Sequence, residues 1–252
     1  MNKEENSTGS FIAFVLLSDT QWDINQLITD CKTDWNIELP NDSQDNTLYT
    51  KIGDMTLVIS LMPIPIPNEE VEYHAATNYM WEDAVEVSKS HKAHLLVSVL
   101  GKDANVLDKG KLFTKVISSC LKQENTIAVY TDGAVFQPQF YREVASIMQQ
   151  DENTLPILNW VWFGIYHTDE FAGIYTYGMR KFGKEEIEVY ASNADLIEIR
   201  NFLLDVVAYI LDANITLQDG ETIGFSAEQK LSITLSDAIA LDGKSLKIQY
   251  PQ

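Results

Sequence analysis

Strand-length apolar runs alternate with amphipathic helical segments through the first half of the sequence, and this alternation restricts the fold more than any other feature. Continuous apolar runs at 11–18 and 94–101 have the length of buried strands. Apolar residues recur every three or four positions at 22–35 and 107–122, as in amphipathic helices. The order β-α-β-β-α-β-α-β-α resembles a split βαβ, or ferredoxin-like, core with an extra unit, although parallel pairing of the strands stays open.

A proline-rich stretch interrupts this first half. Residues 48–52 and 55–62 have the pattern of a hairpin that turns at Gly53-Asp54. The sequence PIPIP at Pro63–Pro67 then forces an extended crossover, because each proline fixes its own φ and restricts the residue before it. A helix covering at least 78–90 is predicted to follow the crossover.

The second half is richer in aromatic strands. Segments 160–166 and 171–179 are predicted to be strands joined by a hairpin, and 195–212 is the clearest helix of the sequence. The predicted fold class is therefore α+β, with a ferredoxin-like N-terminal half packed against an aromatic-stranded C-terminal half. The predicted domains are a disordered N-terminus at 1–10, an N-terminal α+β domain at 11–152 and a C-terminal α+β domain at 153–252.

The charge balance limits the classes of partner. The 252 residues include 18 Lys and Arg against 37 Asp and Glu, which gives a formal charge of −19. Such a chain is repelled by nucleic acids and by anionic membrane surfaces, and no apolar run approaches the roughly 18 residues of a membrane span. Cys31 and Cys120 lie far apart, each inside a predicted helix and without CxxC or Cys/His spacing, as expected in a reducing compartment. We therefore expect a soluble cytoplasmic protein whose partner, if it has one, is a basic protein.

Five segments carry a resemblance to a known family: MPIPIPNEE, WEDAVEVSKSHKAHLLVSVLG, AVYTDGAVFQPQFY, TYGMRKFGKEEIEV and DGETIGFSAEQKLSITLS. Together they resemble the bacterial family called domain of unknown function 4261, over most of the chain and most densely after Trp160. The family has no established activity, cofactor or catalytic residue to transfer. The resemblance implies a bacterial origin and is silent on chemistry.

The sequence contains no complete catalytic signature, and we predict neither a cofactor nor a metal. P-loop, Rossmann and nucleophile-elbow motifs are absent from it. His91 and His94 form an HxxH pair, but they fall at a predicted helix end and strand start, which favours structural roles over metal ligation. The segment 221–230 is the one candidate for an enzyme site, since Glu221 and Glu228, with Phe225 between them, could pair two carboxylates in a cleft.

Aromatic and acidic side chains supply the candidate binding residues. Trp160 and Trp162 share a face if 160–166 is a strand. One face of that strand could then be core while the other stacks on a partner, or both faces could be buried. Acidic residues gather at 19–45, where Asp30 and Asp34 are binding candidates, and at 69–86, where six carboxylates occur without a Lys or Arg. Such surfaces could occupy the basic cleft of another protein.

These observations favour a non-enzymatic bacterial protein that binds other proteins. The sharper form of the hypothesis is an immunity or inhibitor protein that neutralises a toxin or effector. One alternative is a hydrolase-type enzyme built around Glu221–Lys230. The other is a structural subunit that associates with itself through its aromatic strands, and the oligomeric state stays open.

Overall fold

The structure, a computed structural model, describes residues 9–41, 46–131, 133–224 and 230–251. The chain divides into two compact units, Met1–Asn159 and Trp160–Gln252. Most of the N-terminal segment predicted to be disordered, residues 1–8, lies outside the described residues. Each unit has its own sheet and helices, so each is described separately.

The first unit alternates strands and helices as the apolar pattern predicts. Its strands are β1 (Phe11–Leu17), β2 (Thr47–Ile52), β3 (Met55–Met62), β4 (Ala93–Leu100), β5 (Thr126–Thr131) and β6 (Ala134–Phe136). Its helices are α1 (Ile24–Trp35), α2 (Glu70–Ala75), α3 (Ala84–Lys89), α4 (Val106–Cys120), α5 (Pro138–Ala145) and α6 (Ile147–Gln150), and a short helix α7 (Ile157–Trp160) follows.

The first sheet has the strand order β2-β3-β4-β1-β5-β6, and its neighbouring strands pair antiparallel. Its central order β3-β4-β1-β5, with α1 after β1 and α4 after β4, is that of a split βαβ core. The predicted fold class is confirmed, and parallel pairing is excluded for this sheet. Hairpins add β2 and β6 at the edges, and Gly53 takes the positive φ of +57° that the β2–β3 turn requires.

Helices α1 and α4 pack together on one face of the first sheet. The ring of Phe11 on β1 contacts that of Phe113 on α4, with centroids 5.5 Å apart. Because strand residues two apart share a face, the fully buried Ala13 and Val15 lie on this side as well. This layer forms the larger part of the first unit's core.

The opposite face of the sheet carries α2 and α3, and here the helix predicted to cover at least 78–90 is confirmed only at Ala84–Lys89, which is α3. Residues 79–80 and 82–83 form turns instead. The reason is Asn78, whose side-chain amide donates to the carbonyl of Val135 at 2.7 Å and whose Oδ1 accepts from the N–H of Met80 at 2.9 Å. Asparagine favours such local bonds over helical ones.

The second unit is also a sheet with a helix. Its strands are β7 (Trp162–His167), β8 (Ala172–Tyr177), β9 (Ile187–Ala191), β10 (Thr222–Ile223), β11 (Leu231–Asp237) and β12 (Lys244–Gln249), with a 3-10 helix at Met179–Phe182 and helix α8 (Leu196–Asp212). The strand order is β10-β11-β12-β9-β8-β7. Strands β12 and β9 pair in parallel, whereas the other neighbours are antiparallel.

Helix α8 packs on β8 and β9 through the apolar stripe that its sequence predicts. Asp195 caps the helix by accepting a hydrogen bond from the N–H of Ile197 at 2.8 Å. Ile199, Leu203 and Ile210 are almost fully buried beneath it. Among the described residues, no helix is both long and apolar enough to cross a membrane.

Candidate binding surface

The segment that links β3 to β4 forms the candidate binding surface, and we call residues 63–92 the acidic crossover. It contains α2 and α3. Its carboxylates are Glu69, Glu70, Glu72, Glu82, Asp83 and Glu86. Its exposed large apolar side chains are Ile64, Tyr73, Tyr79 and Met80. Tyr73 is the most exposed of these, at 74% of its full accessible area.

Two histidines hold the proline-rich start of the acidic crossover. His91 accepts from the N–H of Ile66 through Nε2 at 2.9 Å and donates through Nδ1 to the carbonyl of Ser88 at 2.5 Å. His94 donates through Nδ1 to the carbonyl of Ile64 at 3.0 Å. Burial lowers the pKa of His94 below its ordinary value. Both imidazole rings therefore form hydrogen bonds with the backbone, and both ring nitrogens of His91 are engaged in them.

Buried apolar residues fix the two helices of the crossover to the sheet. Val71 and Ala75 of α2 and Ala84 of α3 pack in one cluster with Leu16 of β1 and Tyr130 of β5. All five side chains are almost fully buried. The helices are too short to be stable alone, so this packing holds them in place.

Stacked aromatic rings connect α2 to the sheet below it. Tyr73 meets the ring of His74 edge-on, and His74 stacks on Tyr130 with centroids 5.4 Å apart. Tyr130 in turn stacks on Phe14 at 5.8 Å. The Tyr130 hydroxyl donates to the carboxylate of Glu70 at 2.8 Å, which orients one of the acidic side chains.

The turn before α2 has an uncommon backbone. Asn68 and Glu69 are consecutive, and both have left-handed φ angles, of 63° and 54°. This region is disfavoured for residues with a Cβ, and more so for glutamate than for asparagine. Glu69 is thereby held exposed at the beginning of α2, next to Glu70.

The six carboxylates of the acidic crossover carry unneutralised charge. Within the described part of the chain, none of them forms an ion pair. Five are exposed and Glu72 is half-buried. A rigid, negatively charged surface with exposed tyrosine and methionine side chains is the result.

The structure places the predicted binding residues Asp30 and Asp34 in a different setting. Both lie on α1, one turn apart, and both accept from the Lys122 ammonium, at 2.7 and 3.0 Å. Lys122 also lines two shallow clefts of about 740 and 690 Å³. The ammonium group of Lys122, in the same chain, therefore neutralises two carboxylates that the sequence predicted to bind a partner.

The carboxylates proposed for an enzyme site are only partly described. Glu221 is exposed, and its Oε2 accepts from the backbone N–H of Gln218 at 2.8 Å, as in a turn. Phe225 and Glu228 lie outside the described residues. No group of three or more metal-binding side chains occurs among the residues that the structure does describe.

The two tryptophans predicted to share a strand face do not do so. Trp160 ends α7, and β7 begins only at Trp162. Pro156 accounts for the difference, since its fixed φ suits the first turn of a helix, which then takes up 157–160. Both side chains are buried, at 2% and 8% exposed, and Trp160 packs on Phe182. They therefore belong to the interior of the molecule.

Sequence reasoning missed two buried glutamates on and beside β9. Glu186 accepts through Oε2 from the hydroxyl of Thr176 at 2.7 Å, and its Oε1 accepts from three successive backbone N–H groups beginning at Gly178. Burial raises the pKa of Glu186, against these hydrogen bonds, which lower it. The sequence feature that could have indicated them is the alternation Glu-Ile-Glu-Val at 186–189, because it places two glutamates within an apolar strand.

The second of these glutamates, Glu188, is completely buried. Its Oε1 accepts from the backbone N–H groups of Ile239 and Ala240, both at 2.8 Å, in the loop between β11 and β12. Lys247 lies 3.8 Å from Oε2. The glutamate thus closes a loop of its own unit, which is a structural role.

The cysteines are poor candidates for nucleophiles. Cys31 on α1 and Cys120 on α4 are both buried. Burial raises the pKa of the Cys31 thiol to about 11 and that of Cys120 well above its ordinary value. Neither thiol ionises near neutral pH, and only the thiolate is strongly nucleophilic.

The described chain is thus an α+β protein with an exposed acidic surface in its first unit and satisfied carboxylates in its second. Residues 175–249, within the second unit, match the model of a family described as a domain of unknown function, DUF4261. The predicted resemblance is confirmed over this range. Neither the curated proteins nor the solved structures contain a match to the chain.

Proposed function

We propose that this chain is a cytoplasmic bacterial protein that binds a basic partner protein through its acidic crossover. The observation that carries the proposal is the set of six carboxylates that make no ion pair with any residue the structure describes, on a segment that has no Lys or Arg from Glu69 to Glu86. The family resemblance supports the bacterial origin. In its sharper form, the protein is an immunity or inhibitor protein that covers the basic surface of a toxin or effector.

Physical chemistry favours this assignment over hydration alone. A negatively charged surface attracts a cationic partner and raises the rate of its encounter with the chain. Exposed aromatic residues supply contact area at low entropic cost. The anchored backbone of the crossover means that little conformational entropy is lost on binding.

The test is a double charge reversal with a matched control. Glu82→Lys with Glu86→Lys, on the crossover, and Asp205→Lys with Asp212→Lys, on α8, each change the formal charge from −19 to −15. Each form is produced with the product of each toxin or secretion gene next to its own gene, and survival and co-purification are scored. We expect the wild type and the α8 variant to protect the cells and to co-purify with the basic product, and the crossover variant to do neither.

Two results would overturn the proposal. One is that the wild type neither binds nor neutralises the product of any neighbouring gene. The other is that the two double variants bind the partner to the same extent, because the association would then depend on net charge and not on the crossover. Raising the salt concentration should weaken the wild-type complex, since the Debye length falls to about 8 Å at 0.15 M.

A further inference from the structure

On the face that carries the acidic crossover, the helices that the structure describes leave part of the first sheet uncovered, and we call this part, on β1, β4, β3 and β2, the half-sheet. Helices α2 and α3 contact β6 and β5 on this face, toward one edge of the sheet. The strand register places the remaining side chains in rows across β1, β4, β3 and β2. The rows are Ile12, Ser98, Val58 and Tyr49, then Phe14, Leu96, Ser60 and Thr47, then Leu100, Thr56 and Lys51.

This uncovered half-sheet is apolar and accessible. Ile12, Tyr49 and Leu100 are 42%, 58% and 46% exposed, and Val58 and Leu96 are half-buried. Short hydroxyl side chains separate them, so the surface is shallow. Three spacings of about 4.8 Å between four strands give a width of roughly 14 Å, which is enough for one helix of about 10 Å diameter.

Helix α2 lies over β6, and a series of side-chain contacts connects it to the half-sheet. The ring of Phe14, in the second row, stacks on Tyr130, and the Tyr130 hydroxyl donates to Glu70. Tyr73 continues the same stack through His74. A ligand lying on the half-sheet would therefore meet apolar side chains beneath it and the carboxylates of α2 beside it.

We infer that the half-sheet binds an amphipathic helix of the basic partner, with the apolar side of that helix on Ile12, Tyr49 and Leu100 and its basic side toward Glu69 and Glu70. The inference rests on the proposed function and names the part of the partner that is recognised. Charge complementarity selects this occupant. A second copy of the chain is disfavoured because it would bring a formal charge of −19 against an equal one.

The test uses the whole chain and three labelled 18-residue peptides, with fluorescence anisotropy as the measurement. One peptide is a leucine/lysine amphipathic helix, one has the same composition in scrambled order, and one has glutamate in place of lysine. We expect saturable one-to-one binding of the first and at least ten-fold weaker binding of the other two. Leu100→Lys and Tyr49→Lys should each weaken the first complex at least ten-fold, whereas Ile197→Lys, an equal change of charge on exposed α8, should leave it within two-fold.

Circular dichroism and thermal melting show that each variant is folded, and the two half-sheet variants report on different strands. Equal binding of the scrambled peptide, or equal effects of Leu100→Lys and Ile197→Lys, would overturn the inference. A dimer in sedimentation that Leu100→Lys dissociates would also overturn it, in favour of self-association. If Glu82→Lys with Glu86→Lys abolishes partner binding and the half-sheet variants do not, the proposed function stands and the helix site on the half-sheet is wrong. If none of these variants weakens binding, both the proposed function and the helix site are wrong.

Discussion

The two units of the chain use carboxylates in opposite ways. On the acidic crossover of the first unit, five of the six carboxylates are exposed, and none makes an ion pair among the described residues. In the second unit, Glu186 and Glu188 are buried, and backbone N–H groups satisfy them. A carboxylate that receives several backbone hydrogen bonds contributes to the fold, whereas one left in solvent is available to a partner. Burial and hydrogen-bond partners, not the number of acidic residues, therefore distinguish structural carboxylates from those that the proposed function assigns to a partner.

The largest expected effect comes from removing a buried carboxylate. Glu186→Leu leaves the hydroxyl of Thr176 and the N–H groups of Gly178 and Met179 without their acceptor, and we expect a loss of roughly 3–5 kcal/mol in the free energy of unfolding. Urea denaturation followed by tryptophan fluorescence measures it. Glu185→Leu, at the exposed neighbouring position, is the control and should change stability by less than about 0.5 kcal/mol. Equal losses for the two variants would contradict the comparison.

A glycine substitution at Glu69 tests whether the exposed carboxylates of the crossover lie on a strained backbone. Glu69→Gly relieves the left-handed φ of 54° at a residue whose side chain makes no cap hydrogen bond, so we expect up to about 1 kcal/mol of added stability. Glu86→Gly, in α3, should instead cost about 1 kcal/mol, because glycine is unfavourable within a helix. Thermal melts of the two variants give the sign directly, and destabilisation by Glu69→Gly would show that the turn is not strained.

The stability of the first unit should depend on pH through His94. Because burial lowers its folded pKa below the unfolded value of 6.5, the unfolded chain takes up the proton more readily. The stabilising contribution is thus complete above about pH 7 and is lost as the pH falls through 6.5 toward the folded pKa. His94→Phe, which keeps an aromatic ring beside Phe14, should flatten the difference between melting temperatures at pH 7.5 and 5.5. An unchanged difference would assign the pH dependence to other groups.

The smallest effect on stability is expected for the charge reversal that tests the proposed binding. Glu82→Lys with Glu86→Lys should change the free energy of unfolding by no more than about 0.5 kcal/mol, since both side chains are exposed and unpaired. Chemical denaturation of this variant beside the wild type is the measurement. A loss as large as that of Glu186→Leu would mean that these carboxylates are structural as well.

The sequence predicts the strands and long helices of this fold well, because their apolar periodicity is set by the same burial that stabilises them. It fails where one residue alters the local backbone. Asn78 keeps the first residues of a predicted helix out of helical structure through its side-chain hydrogen bonds, and Pro156 converts the start of a predicted strand into α7. Neither effect is visible in periodicity.

The candidate surface was predicted only in part, for a related reason. The run of acids at 69–86 is evident in the sequence, but the cation that neutralises Asp30 and Asp34 comes from Lys122, far away along the chain. Likewise, the uncovered half-sheet depends on which strands α2 and α3 cover. Long-range pairing of this kind has no local signature.

The position of β12 has a consequence for how the second unit is made. Strand β12 comes after β9 and β11 in the sequence but lies between them in the sheet. It therefore joins β10 and β11 to the group formed by β7, β8 and β9. Until the ribosome has released residues 244–249, the hairpin of β7 and β8 with β9 keeps an open edge that invites pairing with other nascent chains. The sheet of this unit therefore cannot be completed before residues 244–249 have been synthesised, and overexpression at lower temperature should favour correct assembly over aggregation.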